Sequence, residues 1–191
     1  AHAAQAGERR RALTQTMDLM PTFLDLFGLP IPRETQARSL LPLLAADAPH
    51  RDVALYGMFG GPIGATDGRY TYFLYPEDLY APGLHEYTLM PTRMSRPFSP
   101  DELRDRIELS PPLPFTKGVC PMKIRQCHSW LYDRGPCALE KTFLFDLQSD
   151  PHQEHPLHDA RIEQAMIDHL LREMRAADAP PEQFTRLGLT P

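Results

Sequence analysis

The sequence is short of basic residues, of long apolar runs and of cysteine, and each shortage excludes a class of protein. Its 20 lysines and arginines are outnumbered by 25 acidic residues, which gives a formal net charge of -5. A nucleic-acid binder needs clustered cations facing the phosphates, so nucleic acid is not an expected partner. No stretch approaches the roughly 18 consecutive apolar residues of a membrane-spanning helix, and the N-terminus lacks the apolar core of a signal peptide. We therefore expect no membrane partner either.

The three cysteines permit at most one internal disulfide and leave one thiol over. Such an odd count slightly favours a reducing compartment such as the cytoplasm. The chain opens on small residues without a methionine, as though it were entered midway. An export signal further upstream is compatible with this start, so the sequence leaves the compartment unknown.

Helix signals mark both ends of the chain, whose 191 residues are 42% hydrophobic and long enough to bury a core. A first helix is predicted from Asp18, a good N-cap, through Pro21 in the first turn to a stop at Gly28. A second, short helix is predicted over residues 39–44. A longer final helix follows His158, because six residues recur at helical spacing: Ile162, Ala165, Met166, His169, Leu170 and Met174.

Strand signals lie between these helices. Residues 53–59, 63–66 and 70–75 are rich in β-branched and aromatic side chains, with turn sequences such as Asp67-Gly68 between them. This pattern predicts an antiparallel meander. A fourth strand is predicted over residues 142–147.

A long stretch over residues 76–141 separates the third and fourth predicted strands. It holds ten of the 21 prolines, all three cysteines and the only tryptophan. So many prolines between two strands predict an ordered but irregular insertion, of the kind that shapes a site rather than a core.

Three segments of the chain, in this order, resemble the C-terminal third of type I sulfatases, members of the alkaline phosphatase superfamily. The first is MDLMPTFLDLFG at 17–28, followed by RSLLPLL at 38–44. It is similar to the family's helix with the pattern D-x-x-P-T-hydrophobic-x-x-x-x-G. The second is TDGRYTY at 66–72, similar to a hairpin of that family. The third is LFDL at 144–147 with Asp150-Pro151 and Glu154, similar to its strand-and-turn pattern L-Y-D-L-x-x-D-P-x-E, although Glu154 stands one place beyond the glutamate of that pattern.

The resemblance implies an α+β fold, in which a small four-stranded antiparallel sheet is packed by the C-terminal helix. Residues 1–50 would be the end of a truncated α/β sulfatase core. Residues 51–191 would be the C-terminal subdomain, with the irregular insertion at about 76–141. The expected partner is then the missing N-terminal sulfatase domain, and in its absence the chain is expected to expose an apolar patch and to self-associate.

The resemblance also implies the chemistry of a parent enzyme, the hydrolysis of sulfate esters on a small molecule or glycan. In that family a divalent cation, usually calcium, acts with a formylglycine-type nucleophile made from a cysteine or serine. The cation neutralises charge that develops on the sulfuryl oxygens while the nucleophile attacks in line. Both would lie upstream of this chain.

The family nucleophile lies in a Cys/Ser-x-Pro-x-Arg motif, which this chain lacks. Cys120 is followed by proline one place early and by Ile124 where the arginine belongs, and neither Cys127 nor Cys137 fits. The Asp and Asn ligands that the family uses to hold a hard cation would also come from upstream. We therefore predict no catalytic residue, no metal ligand and no cofactor in this chain, and no turnover by the chain alone.

Cations in the insertion are the candidate substrate-binding residues, namely Lys117, Lys123, Arg125 and His128. A loop over an active-site cleft supplies such groups to a sulfate or to a neighbouring acidic group. His85, Arg93 and Arg96 belong to the same cationic set. The alternative is an ordinary solvated surface.

Two further groups of side chains favour structural interpretations. Cys120, Cys127, His128 and Cys137 lack the short C-x2-C spacing of common structural zinc sites, so buried or half-buried free cysteines are favoured. His152, His155 and His158 are predicted to be solvated, because Pro156 interrupts any helix that would align them. His169, on the apolar side of the last helix, is predicted to be packed.

Two alternatives to a sulfatase stay open at this level. A phosphonate or phosphodiester hydrolase of the same superfamily shares the C-terminal design, and only the upstream nucleophile and pocket separate the two. The chain is otherwise a stand-alone binding module that descends from such an enzyme.

Overall fold

A computed structural model describes residues 7–79, 82–90, 92, 96–104, 107–126 and 142–191. The helices in this part of the chain are α1 (Leu19–Leu26), α2 (Leu41–Ala45), α3 (Pro100–Leu103), α4 (Ala160–Ala176) and α5 (Pro181–Arg186). The strands are β1 (Ala54–Gly57), β2 (Ile63–Thr66), β3 (Tyr70–Leu74), β4 (His85–Thr88), β5 (Ile107–Leu109), β6 (Met122–Arg125) and β7 (Phe143–Asp146). The predicted α+β class is confirmed.

The predicted four-stranded antiparallel sheet is present, with the strand order β1-β2-β3-β7. Tyr72 of β3 lies opposite Leu144 of β7. The turn between β2 and β3 falls at the predicted Asp67-Gly68 pair, where Gly68 has a φ of 93° that disfavours any residue with a side chain. Asp67 Oδ1 accepts hydrogen bonds from the N–H groups of Arg69 (2.8 Å) and Tyr70 (2.7 Å), which fixes this turn.

The chain forms two compact units. The first falls within Ala1–Tyr56, Ile63–Phe73 and Phe143–Glu173. Its buried residues include Ala65, Tyr72 and Leu144 from the four-stranded sheet and Met166 and Leu170 from α4. Residues 7–50 therefore share a unit with this sheet, while the division of a parent enzyme at residue 50 stays a prediction.

Helix α4 begins where Asp159 caps it, since Asp159 Oδ1 accepts hydrogen bonds from the N–H groups of Arg161 (2.9 Å) and Ile162 (3.2 Å). Its buried residues Met166, Leu170 and Met174 recur every four positions, as the sequence predicted. Ala165, which was assigned to the same face, is exposed. None of the described helices is long and apolar enough to cross a membrane.

The second unit falls within Gly57–Pro62, Leu74–Thr142 and Met174–Pro191. The stretch predicted to be irregular is more regular than expected, because it contains helix α3 and a three-stranded antiparallel sheet of order β4-β6-β5. The three strands have only three or four residues each and are separated by proline-rich turns, so their alternation is hard to recognise in the sequence. Leu84 and Ile124 form part of the core of this unit.

Candidate functional site

The three-stranded sheet brings charged and hydrogen-bonding side chains together on one face. Across the sheet Tyr87 of β4 pairs with Lys123 of β6, and Glu108 of β5 pairs with the same lysine. His85 pairs with Arg125, two residues away from the Tyr87–Lys123 pair on each strand. Because side chains alternate between the two faces of a strand, these five residues share one face of the sheet.

Glu182, in the first turn of α5, is the centre of this cluster. Its Oε1 accepts a hydrogen bond from the Tyr87 hydroxyl at 2.5 Å, and it lies 3.3 Å from Lys123 Nζ and 3.2 Å from His85 Nδ1. The Glu182 side chain is 21% exposed and that of Lys123 is 23% exposed. Water therefore screens these contacts only in part.

The pKa values of Tyr87, Glu182 and Lys123 move away from neutrality. Burial, together with the carboxylate of Glu182, raises the pKa of Tyr87 to about 12. Burial also raises the pKa of Glu182, but hydrogen bonds from Tyr87 and from its own backbone N–H, together with the charge of Lys123, lower it by more. Burial lowers the pKa of Lys123, and the Glu182 charge more than restores it. Since a general acid or base works best with a pKa near the working pH, these three side chains suit binding better than proton transfer.

A pocket of about 390 Å³ lies beside the cluster. Tyr87, Lys123, Glu108 and Glu182 line it from the cluster, and Asp178 lines it from the turn before α5. The remaining wall is largely proline and leucine side chains: Leu109, Pro111, Pro112, Leu113, Pro180 and Pro181. The pocket thus offers a small set of polar groups within an apolar frame, as ligand sites do.

The predicted substrate-binding residues are distributed unevenly around this site. Lys123 lines the pocket, but its ammonium lies 3.5 Å from Glu108 and 3.3 Å from Glu182. Arg125 is exposed two positions further along β6. Lys117 is exposed at the end of a 3₁₀ turn, with a φ of 54°. His128 lies outside the described residues, so substrate binding by these four stays a prediction.

The other three cations of the predicted set also differ in where they lie. His85 belongs to the cluster, whereas Arg96 makes two hydrogen bonds to Glu102, at 2.6 and 3.0 Å. Arg93 lies outside the described residues. Sequence reasoning missed Tyr87, Glu108 and Glu182. The apolar-polar alternation of Met122–Arg125 was the one signal that could have indicated this face.

The first resembling segment forms a second polar cluster. Asp18 Oδ1 accepts a hydrogen bond from the N–H of Arg38 at 3.0 Å. Thr22 Oγ1 accepts one from the N–H of Leu40 at 2.8 Å. The hydroxyl of Ser39 donates to Asp25 Oδ2 at 2.6 Å.

The Asp18 carboxylate is fully buried and ion-paired with Arg51, and His50 Nε2 lies 3.4 Å from its Oδ2. Burial raises its pKa, but hydrogen bonds from the backbone N–H groups of Arg38 and Gln15 and from the Arg51 guanidinium outweigh burial, so the pKa lies below its usual value. Every oxygen of this carboxylate is occupied by the protein. The cluster therefore holds two segments together rather than binding a ligand.

Among the described residues no three His, Cys, Asp or Glu side chains converge to hold a metal ion. Cys120 is a free thiol, but it is exposed, so the prediction that it is buried is wrong. The other three residues of the zinc alternative lie outside the described part of the chain. His152, His155 and His158 are exposed, as predicted, and His169 is half-buried. In a search of known protein families and of curated proteins, the sequence matches no family and no curated protein.

Proposed function

We propose that this chain is the C-terminal portion of a sulfatase-type hydrolase of the alkaline phosphatase superfamily, and that it completes the fold and the substrate cleft without supplying catalytic groups. The observation that carries the proposal is that the resembling segments bond to one another. Asp18 and Thr22, which occupy defined positions of the first pattern, and Asp25, which occupies an unspecified one, each hold the segment that contains Arg38, Ser39 and Leu40.

A second link joins the other two segments. Arg69, which follows the β2–β3 turn, donates a hydrogen bond at 3.1 Å to Asp146 Oδ2 in β7. The residues that give the resemblance are therefore the ones that make these contacts, as expected of a pattern that specifies a structure. A chance match of residue types does not require such contacts.

The surface of α1 supports a role within a larger enzyme. Phe27 is 74% exposed, Phe23 is 55% exposed and Leu26 is 48% exposed. Leu29 and Ile31 continue the apolar surface past the end of the helix. Each fully exposed side chain of this size forgoes about 1.5–3 kcal/mol of burial, and apolar patches of this kind mark interfaces. The missing N-terminal sulfatase domain is the partner that we propose for this surface.

We assign no step of the reaction to a metal held by this chain. Calcium and a formylglycine-type nucleophile would come from the upstream part of the parent enzyme. The pKa values of Tyr87, Glu182 and Lys123 support the same division, since none is shifted toward neutrality.

The experiment compares this 191-residue chain with the product of the complete reading frame, each assayed with 4-nitrophenyl sulfate, a phosphonate monoester and a phosphodiester. We expect the full-length enzyme to hydrolyse the sulfate ester and the chain alone to hydrolyse none of the three. Preference for the phosphorus esters would favour the phosphonate or phosphodiester hydrolase instead. A reading frame that encodes only this chain would favour the stand-alone binding module.

Substrate binding by the predicted cations has its own test in the full-length enzyme. Alanine at Lys117, Lys123, Arg125 or His128 is expected to raise KM or to lower kcat/KM without unfolding the protein. Arg161→Ala on the exposed face of α4 is the matched control. Unchanged kinetics at all four positions would remove these residues from the substrate cleft.

A further inference from the structure

We propose that the pocket beside Lys123 and Glu182 binds a neutral polyol through two adjacent hydroxyl groups, such as those of a sugar ring. The proposal stands on the described residues of the second unit alone. It does not depend on whether the chain completes a sulfatase.

Charge excludes a simple anion from this pocket. Three carboxylates line it, those of Glu108, Asp178 and Glu182, and the ammonium of Lys123 is the only opposing charge among the lining residues. Three negative charges against one positive charge leave a formal net charge of -2. A free sulfate or phosphate would be repelled, because Lys123 is already paired with two carboxylates. Any contact of Lys123 with a sulfated substrate would therefore be to its hydroxyl groups rather than to its sulfate.

The positions of donors and acceptors fit adjacent hydroxyl groups. Lys123 Nζ lies 3.3 Å from Glu182 and 3.5 Å from Glu108. One hydrogen-bond donor, the ammonium, therefore lies next to two acceptors, the carboxylates. The side-chain contacts of Glu182 with Tyr87, Lys123 and His85 all fall on Oε1, and the Glu108 side chain is 64% exposed. Both carboxylates therefore keep lone pairs for a ligand.

A hydroxyl group donates one hydrogen bond and accepts others. Of two adjacent hydroxyls, one can donate to a carboxylate while the other accepts from the ammonium, and both bonds are charge-assisted. A purely apolar ligand would cover these charges without replacing their water. A cationic ligand would have to compete with the Lys123 ammonium for the same two carboxylates.

Size and rigidity also suit a small ring. The volume of about 390 Å³ falls within the range of roughly 300–1,000 Å³ for small-molecule sites. Pro111, Pro112, Pro180 and Pro181 present C–H surface to the space, and their fixed φ angles hold the wall in place. A preformed wall reduces the ordering cost of binding.

The test probes an array of neutral, sulfated and amino sugars with the biotinylated chain on streptavidin, since four linked copies amplify a weak interaction. We expect binding to at least one neutral saccharide. Titration of that saccharide into Glu108→Gln and Lys123→Met should show binding about tenfold weaker, as expected for one charge-assisted hydrogen bond. Glu154→Gln, an exposed carboxylate in the first unit, is the matched control.

Glu108 is exposed and its ion pair with Lys123 is long, so Glu108→Gln is expected to fold, and a circular dichroism spectrum checks this. Absence of saccharide binding, binding of sulfated or amino sugars only, or an affinity equal to that of the wild-type chain in both pocket variants would overturn the proposal. Sulfate-ester hydrolysis enters none of these measurements, so failure here is distinct from failure of the proposed function.

Discussion

Asp18 Oδ1 accepts a hydrogen bond from the backbone N–H of Arg38 at 3.0 Å and so ties the start of helix α1 to a segment 20 residues further along the chain. The same carboxylate forms an ion pair with Arg51, in which Asp18 is 0% exposed and Arg51 is 8% exposed. A charge buried this deeply is tolerated because it has both a partner and hydrogen bonds.

Asp18→Asn should therefore destabilise the protein strongly. The amide keeps the shape of the side chain but leaves the buried Arg51 charge unpaired, which costs about 3–5 kcal/mol. Urea unfolding at pH 7 measures the loss. Asp47→Asn is the control, because Asp47 is exposed and accepts bonds from two backbone N–H groups. Equal losses of unfolding free energy in the two variants would mean that the Asp18–Arg51 ion pair contributes no more stability than the exposed hydrogen bonds of Asp47.

Acid should remove the contribution of Asp18. Burial raises its pKa, but the hydrogen bonds from Arg38, Gln15 and Arg51 lower it by more, so the folded state holds the proton less tightly than the unfolded state. The stability that Asp18 adds is therefore complete above its usual pKa of 3.8 and declines as the pH falls through the lowered folded value.

The measurement is the difference in unfolding free energy between wild type and Asp18→Asn from pH 7 to pH 2. Other carboxylates are common to both proteins and cancel in this difference if they do not contact Asp18. The difference should shrink below about pH 4. A difference that does not change with pH would contradict the lowered pKa.

The elements that the sequence predicted best are those with a strong local signal. Met166, Leu170 and Met174 repeat at the period of a helix over 17 residues of α4, so periodicity alone identifies it. Asp67-Gly68 specifies its turn because glycine tolerates the required φ. Neither inference needed knowledge of distant residues.

The candidate site could not be predicted in the same way, because it depends on register and on long-range contacts. In the sequence Lys123 has no carboxylate close to it, and it is predicted to bind substrate. In the structure the pairing of β5 with β6 places Glu108 beside it. Glu182 reaches it from α5, and the Tyr87–Glu182 hydrogen bond spans 95 positions. Strands of three or four residues carry too little alternation to specify such a register.

Tyr87→Phe should weaken the second unit at neutral pH. The Tyr87 hydroxyl donates to the Glu182 carboxylate, and a hydrogen bond to a charged group contributes about 1.5–3 kcal/mol. Phenylalanine keeps the ring and its packing, so the loss reports the hydroxyl alone. Urea unfolding checks the size of the effect.

The Tyr87 contribution should also vanish in alkali. Its pKa is raised from 10.0 to about 12 by burial and by Glu182, so the folded state holds the phenolic proton more tightly than the unfolded state. The stability is therefore complete below pH 10 and is lost as the pH rises through about 12. The gap in unfolding free energy between wild type and Tyr87→Phe should narrow across that range, and a constant gap would argue against the raised pKa.

Gly64→Ala should destabilise the four-stranded sheet, because a methyl group at this buried position would overlap the ring of Tyr56. Overpacking of this kind costs about 1–3 kcal/mol. A double-mutant cycle with Tyr56→Ala tests the cause, since removal of the ring should make the alanine at position 64 nearly neutral. If the alanine costs as much without the ring, the strain lies in the backbone instead.

The apolar surface of α1 predicts how this chain behaves alone. Phe27 and Phe23 are 74% and 55% exposed in the folded chain. Association with a second molecule would bury this apolar area and remove it from water. Sedimentation velocity should show concentration-dependent self-association of the wild-type chain. The double variant Phe23→Ser and Phe27→Ser should be monomeric with little change in unfolding free energy, because both side chains are already largely solvated in the fold.

Val119→Ser is the matched control, since Val119 is 54% exposed but belongs to the second unit. A wild-type chain that sediments as a monomer at every concentration would mean that this surface does not need a partner, and the stand-alone module would then be favoured over the sulfatase fragment.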